Sequence, residues 1–208
     1  MVTVFQQFID GIRQTGWLEY VAVISGIVSV WYSKKEDILL YPIGLLNTTI
    51  YIYLSLKGQL YGEASVNLYY TIVSIYGWIV WSRRSHTQVA YLKIRASSQM
   101  EWIIQLLFFL FFYMVIFIAL KKLQIDFSPG VIPWADALAS ASAYTGMWLM
   151  ARKKLESWYW WILTNISSIP LYFVKGFVFT SVYYLILLVM AFYGLAEWKK
   201  KSIVNKHA

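Results

Sequence analysis

The chain has no cysteine, which removes disulfide frameworks and thiol chemistry from consideration. Its two histidines, His86 and His207, fall in a loop and in the tail with no second ligand near them, so no metal site is expected. Charge is scarce as well: 13% of residues are charged, against about 25% in a soluble domain. The acidic groups Glu19, Glu63, Asp136 and Glu197 lie near the ends of apolar runs, within reach of water, which leaves no evident route for a proton relay. No Walker loop, no nucleophilic Ser or Cys constellation and no deep carboxylate pair is present. These absences leave ATP use and proton coupling unsupported, and they point away from an enzyme and from any cofactor.

What is abundant is apolar surface. Hydrophobic residues make up 60% of the 208 and aromatics 19%, with a mean hydropathy of +0.56. Such a surface calls for lipid as its solvent. Seven apolar runs are long enough to cross a ~30 Å hydrocarbon core, at about 17–33, 38–56, 64–82, 102–120, 134–151, 158–174 and 177–198. The breaks between them are short except for 82–101, which is polar and basic and reads as a surface loop.

The formal charge of +8 comes from short basic clusters between runs, not from one stripe, so nucleic acid is not an expected partner. Alternate loops divide the eighteen Lys and Arg unequally. Arg13, Lys57, Lys121, Lys122 and Lys175 lie on the side of the N-terminus. Lys34, Lys35, Arg83, Arg84, Lys93, Arg95, Arg152, Lys153, Lys154, Lys199, Lys200, Lys201 and Lys206 lie on the other. The positive-inside rule then puts the N-terminus outside and the C-terminus in the cytoplasm.

The chain also repeats itself. Trp17 and Trp31 recur as Trp134 and Trp148; Tyr41, Asn47, Lys57 and Gly58 as Tyr159, Asn165, Lys175 and Gly176; Tyr76, Gly77 and Trp81 as Tyr193, Gly194 and Trp198. The offset is 117, 118 and again 117, with the slips expected near loops. Two three-helix units that share one orientation require an odd helix to carry the chain back across. The expected fold is therefore an all-α membrane protein of seven transmembrane helices, arranged 3+1+3. Its parts are 1–16, an interfacial helix or tail in which Phe5, Phe8, Ile9 and Ile12 follow helical spacing; 17–82, the first repeat; 83–133, a cytoplasmic loop and linker helix; 134–198, the second repeat; and 199–208, a basic tail. Parallel repeats are one way to build a transporter with its substrate near the midplane.

Polar side chains inside such runs are costly and therefore informative. Asn47 and Asn165 fall near the middle of their helices, where a pair of amides can face one cavity or bond across to neighbouring helices as packing. Trp158, Trp161 and Asn165 share a helix face, and Tyr144 and Trp148 can line the helix opposite. Converging aromatic faces suit a flat heterocycle, especially a cationic one; an ordinary interfacial aromatic belt is the alternative, most seriously for Trp158. Asn67 and Tyr70, three residues apart, can meet ligand hydroxyls, although core packing explains Tyr70 equally well. Pro42 and Pro170, each five residues from an asparagine, are expected to kink their helices and to serve the rocking of the two halves.

The strings Tyr76-Gly-Trp-Ile-Val-Trp81-Ser-Arg and Glu156-Ser-Trp158-Tyr-Trp-Trp161-Ile-Leu-Thr-Asn165, with Gly44-Leu-Leu-Asn47 and Gln59-Leu-Tyr61, resemble the nicotinamide riboside transporter (PnuC) family. The likeness runs from about Trp17 to Trp198. It implies a SWEET-like 3+1+3 fold in a bacterial inner membrane and facilitated diffusion of a vitamin, which a cytoplasmic kinase then traps by phosphorylation. It also implies a vitamin site containing Trp158, Trp161 and Asn165, with Asn47 as the repeat mate. Relatives often carry Gln where this chain has Asn67, an amide one methylene shorter. Some members move thiamine instead, and a SWEET-type sugar facilitator is a more distant alternative. The implied partners are the vitamin and the lipid bilayer; a homo-oligomer is left open.

Overall fold

The computed structural model describes residues 4–57, 61–83, 92–126 and 132–207. Gly58, Gln59, Arg84 and His86, and the side chains of Tyr61, Glu63 and His207, lie outside the described residues. The regular elements among the described residues are helices: α1 Val4–Gln14, α2 Trp17–Lys35, α3 Leu40–Lys57, α4 Tyr61–Ser82, α5 Gln99–Asp126, α6 Pro133–Ala151, α7 Ser157–Val174 and α8 Val178–His207. The last seven, of 18 to 30 residues, occupy the seven apolar runs.

Local chemistry fixes several boundaries. The N-terminus of α5 is a capping box: the Glu101 carboxylate accepts from the Ser98 N–H at 2.9 Å, and the Glu101 N–H donates to the Ser98 hydroxyl at 3.3 Å. Pro133 opens α6, where its missing N–H costs nothing. Helix α2 ends as Glu36 turns into the left-handed region, φ 65°, and Lys153 does the same after α6, φ 52°. Helix α1 lies on α8, with the Phe8 and Phe179 rings 6.2 Å apart.

Six helices close a ring in the order α2, α3, α4, α6, α7, α8 and back to α2. Helix α5 lies outside that ring along α6, and it exposes Leu106, Leu107, Leu110, Phe111, Met114 and Ile118. Its segment Gln99–Lys122, like Val178–Val204 of α8, is long and apolar enough to cross a membrane by length and composition. An exterior this apolar belongs in lipid.

The structure corrects the register of the repeat. Tyr41 packs on Gly77 as Trp158 packs on Gly194, with the two ring positions, like the two glycines, 117 residues apart. Tyr41 therefore corresponds to Trp158, and Asn47 to Thr164, so Asn47 and Asn165 are not counterparts. Three further expectations change. The basic tail continues α8, held by Lys201 Nζ donating to the Lys35 carbonyl at 2.9 Å. The described part of the surface loop is docked on the α6–α7 turn: the Arg95 N–H donates to the Lys153 carbonyl, the Arg95 carbonyl accepts from the Leu155 N–H, and Ile94 is fully buried. Pro42 sits in the first turn of α3, where it breaks no helical bond, which leaves Pro170 as the interior proline.

Candidate substrate site

At the basic end of the bundle, corresponding residues touch one another. Ser33 donates to the Met150 sulfur at 3.0 Å, and Lys153 donates to Glu36 at 2.7 Å, each pair separated by 117 residues. Trp81 and Trp198 are counterparts with ring centroids 6.2 Å apart. Residues 117 apart in the chain thus meet each other at this end.

Around them the packing repeats. Tyr41 meets Trp81 edge-on at 5.2 Å, and Trp158 meets Trp198 edge-on at 5.6 Å. A Cβ on Gly77 would collide with the Tyr41 ring, and one on Gly194 with the Trp158 ring. The Tyr41 hydroxyl and the Trp158 indole N–H are sealed here without a hydrogen-bond partner. The turns add charge: Lys154 donates to Glu101 at 2.5 Å, while burial pulls its ammonium pKa down and that bond opposes the shift. Ser97 donates twice to Glu156, and Gln105 links Ser97 to the Trp160 indole.

Nearer the middle the two halves differ. In the second half the Trp161 indole lies over Gly146, 3.3 Å from where a Cβ would be; at the corresponding positions of the first half, Ser29 lies against Gly44. Trp161 and Tyr70 have ring centroids 6.3 Å apart, and Tyr70 meets Tyr144 edge-on at 6.2 Å. Tyr69 stacks on Tyr144 at 4.3 Å and donates its hydroxyl to the Tyr144 carbonyl, which fixes that ring. Asn165 is one helical turn from Trp161 and only 3% exposed. Its amide has no hydrogen-bond partner among the described residues, and neither do the hydroxyls of Tyr70, Tyr144 and Tyr183. Buried polar groups are normally paired, so a cluster of unpaired ones at the centre of a bundle is a place prepared for a ligand.

Of the residues picked from the sequence, Trp161, Asn165, Tyr70 and Tyr144 belong to this centre. Asn67 lies one turn from Tyr70 on α4, its carbonyl accepting from Thr71, whose hydroxyl also bonds Thr48 on α3. Asn47 donates to the Ala22 carbonyl at 2.6 Å and so ties α3 to α2. Trp158 points into the basic-end core, and Trp148 stacks outward on Phe108 of α5 at 4.7 Å beneath the Arg152 guanidinium. Tyr69, Tyr183 and Gly26 were not singled out; a tyrosine in an apolar run carries no signal of which neighbour it meets.

A helical bundle with an apolar exterior and a ring of helices around unpaired polar and aromatic groups defines an integral membrane transporter of small molecules. The family model described as nicotinamide mononucleotide transporter matches residues 16–200, and this chain belongs to that family. It is 26% identical over 202 residues to the nicotinamide riboside transporter PnuC of Escherichia coli K12, covering 88% of this chain and 84% of the relative. The PnuC of Neisseria mucosa is 28% identical over 203 residues, 92% of this chain and 74% of that one. The riboflavin/roseoflavin transporter RibM of Streptomyces davaonensis is 23% identical over 190 residues, 89% and 86% respectively. A crystal structure of the vitamin B3 transporter PnuC shares the fold, with a TM-score of 0.74 at 24% identity over 99% of this chain and 89% of that chain.

Proposed function

We propose that this protein takes up nicotinamide riboside by facilitated diffusion. In this reading all seven long helices cross the membrane as two parallel three-helix repeats joined by α5, with the N-terminus outside and the basic end in the cytoplasm. The observation that carries it is the central set of unpaired groups: the Asn165 amide and the Tyr70 and Tyr144 hydroxyls, around the Trp161 ring. Aromatic walls hold a flat cationic ring without a buried carboxylate, and the amide and phenols supply hydrogen bonds to its polar substituents. Substrate is released when the basic end parts, and cytoplasmic phosphorylation retains it.

The test is uptake into proteoliposomes driven by a nicotinamide riboside gradient alone, without ATP or a proton gradient. Saturable flux is expected; flux equal to that of empty vesicles refutes the reading. A second flat vitamin is favoured by the relative named as a riboflavin transporter, and thiamine shares the ring-and-arm chemistry. Competition among the three in one binding assay ranks them, and a sugar that competes as well as any vitamin would instead favour a sugar facilitator.

A further inference from the structure

The repeat leaves one helix face bare. Trp31 and Lys35 on α2 correspond, at the offset of 117, to Trp148 and Arg152 on α6. Each pair makes the same cation–π contact: Lys35 Nζ stands 5.2 Å from the Trp31 ring centroid, and the Arg152 guanidinium 5.1 Å from that of Trp148. In the second half α5 covers this seat, with Phe108 stacked on Trp148 at 4.7 Å. Helix α2 runs along α3 and α8, and no helix among the described residues covers the seat in the first half. Trp31 is 46% exposed there, and exposed Val21 and Ile24 continue the bare strip along α2. Exposed Tyr193 of α8 makes the other wall of the corner: Lys34 Nζ lies 3.9 Å over the Trp31 ring and 5.9 Å from the Tyr193 ring.

The charge of this corner is also unanswered. Neighbouring lysines are neutralised, Lys153 and Lys201 by Glu36 and Lys154 by Glu101. No carboxylate among the described residues lies within ion-pair distance of Lys34 or Lys35. Asp37, two residues further on, accepts from the Leu39 N–H instead. We propose that the corner holds an anionic phospholipid of the leaflet at the basic end. Its phosphate accepts from Lys34 and Lys35, and its acyl chain lies along α2 where the repeat would place a second α5. Helix α5 brings apolar surface to Trp148 and a carboxylate, Glu101, to Lys154; a phospholipid carries both components in one molecule. Ammonium groups resting on aromatic faces still have N–H groups to donate to phosphate oxygens. The site depends on the bundle crossing a membrane and not on which cargo it moves.

The test titrates purified full-length protein in detergent with phosphatidylglycerol, or with phosphatidylcholine of the same chains, and reads retained lipid by native mass spectrometry and the thermal midpoint. Wild type is expected to prefer phosphatidylglycerol and to gain in midpoint from it. Lys34→Gln/Lys35→Gln should bind it about 10-fold or more weakly, at roughly 5-fold per lysine. Arg152→Gln/Lys199→Gln removes the same charge from the same end and should stay within about twofold of wild type. Glycerol phosphate, which has the charge without the chains, should not displace the lipid. Equal affinity for the two lipids, equal loss in both double variants, or displacement by glycerol phosphate overturns the site; the first and last of these need no variant. A lipid-free dimer of the wild type that Trp31→Ala abolishes would also overturn it, by seating a second copy of the chain on this face.

Discussion

The basic end and the middle of the bundle are made by the same helices, yet only the basic end is symmetric. At that end glycine faces an aromatic ring in both halves, Gly77 with Tyr41 and Gly194 with Trp158, and counterpart residues bond to each other. In the middle, a tryptophan over a glycine in one half replaces a serine beside a glycine in the other. Symmetric contacts suit a closure that must part evenly; an asymmetric substrate needs an asymmetric site. Under the proposed function, the difference divides the residues into those that hold the halves together and those that would meet the cargo.

The largest expected effect falls on the symmetric end. Trp198 is fully buried and donates to the Ser33 carbonyl at 3.0 Å, so Trp198→Ala should cost about 3–5 kcal/mol of stability. Denaturant unfolding in detergent would read it, and vitamin affinity should change little in the folded fraction. Glu36→Gln weakens the bond to Lys153, whose side chain is 6% exposed, and should cost about 1.5–3 kcal/mol. Adding Lys153→Met should restore most of that, because an apolar pair needs no partner; no recovery would mean that the pair does not join the halves. The smallest effect is a gain. Tyr41→Phe removes a sealed hydroxyl without a partner and should raise stability by about 1 kcal/mol. It should also slow flux, by favouring the closed end; faster flux would remove Tyr41 from the closure.

Much of the fold was legible because lipid solvation demands long apolar runs, and each run became a helix. The repeat was visible through identical residues, but its register was not. Tyr41 matched Tyr159 and Asn47 matched Asn165 by identity, whereas the helices align Tyr41 with Trp158, two large rings doing the same steric work against a glycine. The site was half legible for a related reason. Helical spacing puts Trp158 and Trp161 on one broad face, yet Trp158 is buried within the basic-end core, while Trp161 packs on its edge and reaches Tyr70 at the centre. Trp148 met α5, a helix whose placement no pattern in the repeats specifies. Ile94 was missed because a polar loop gives no sign that one apolar residue anchors it.

The most direct measurement is a calorimetric titration of nicotinamide riboside into wild-type protein and into Asn165→Ala. Asn165 bonds to nothing among the described residues, so its loss should leave the thermal midpoint unchanged while reducing affinity about 10-fold or more. Saturable binding in the wild type, weakened in the variant at equal stability, is the expected result. Equal binding by both proteins would contradict a vitamin site at the centre of the bundle.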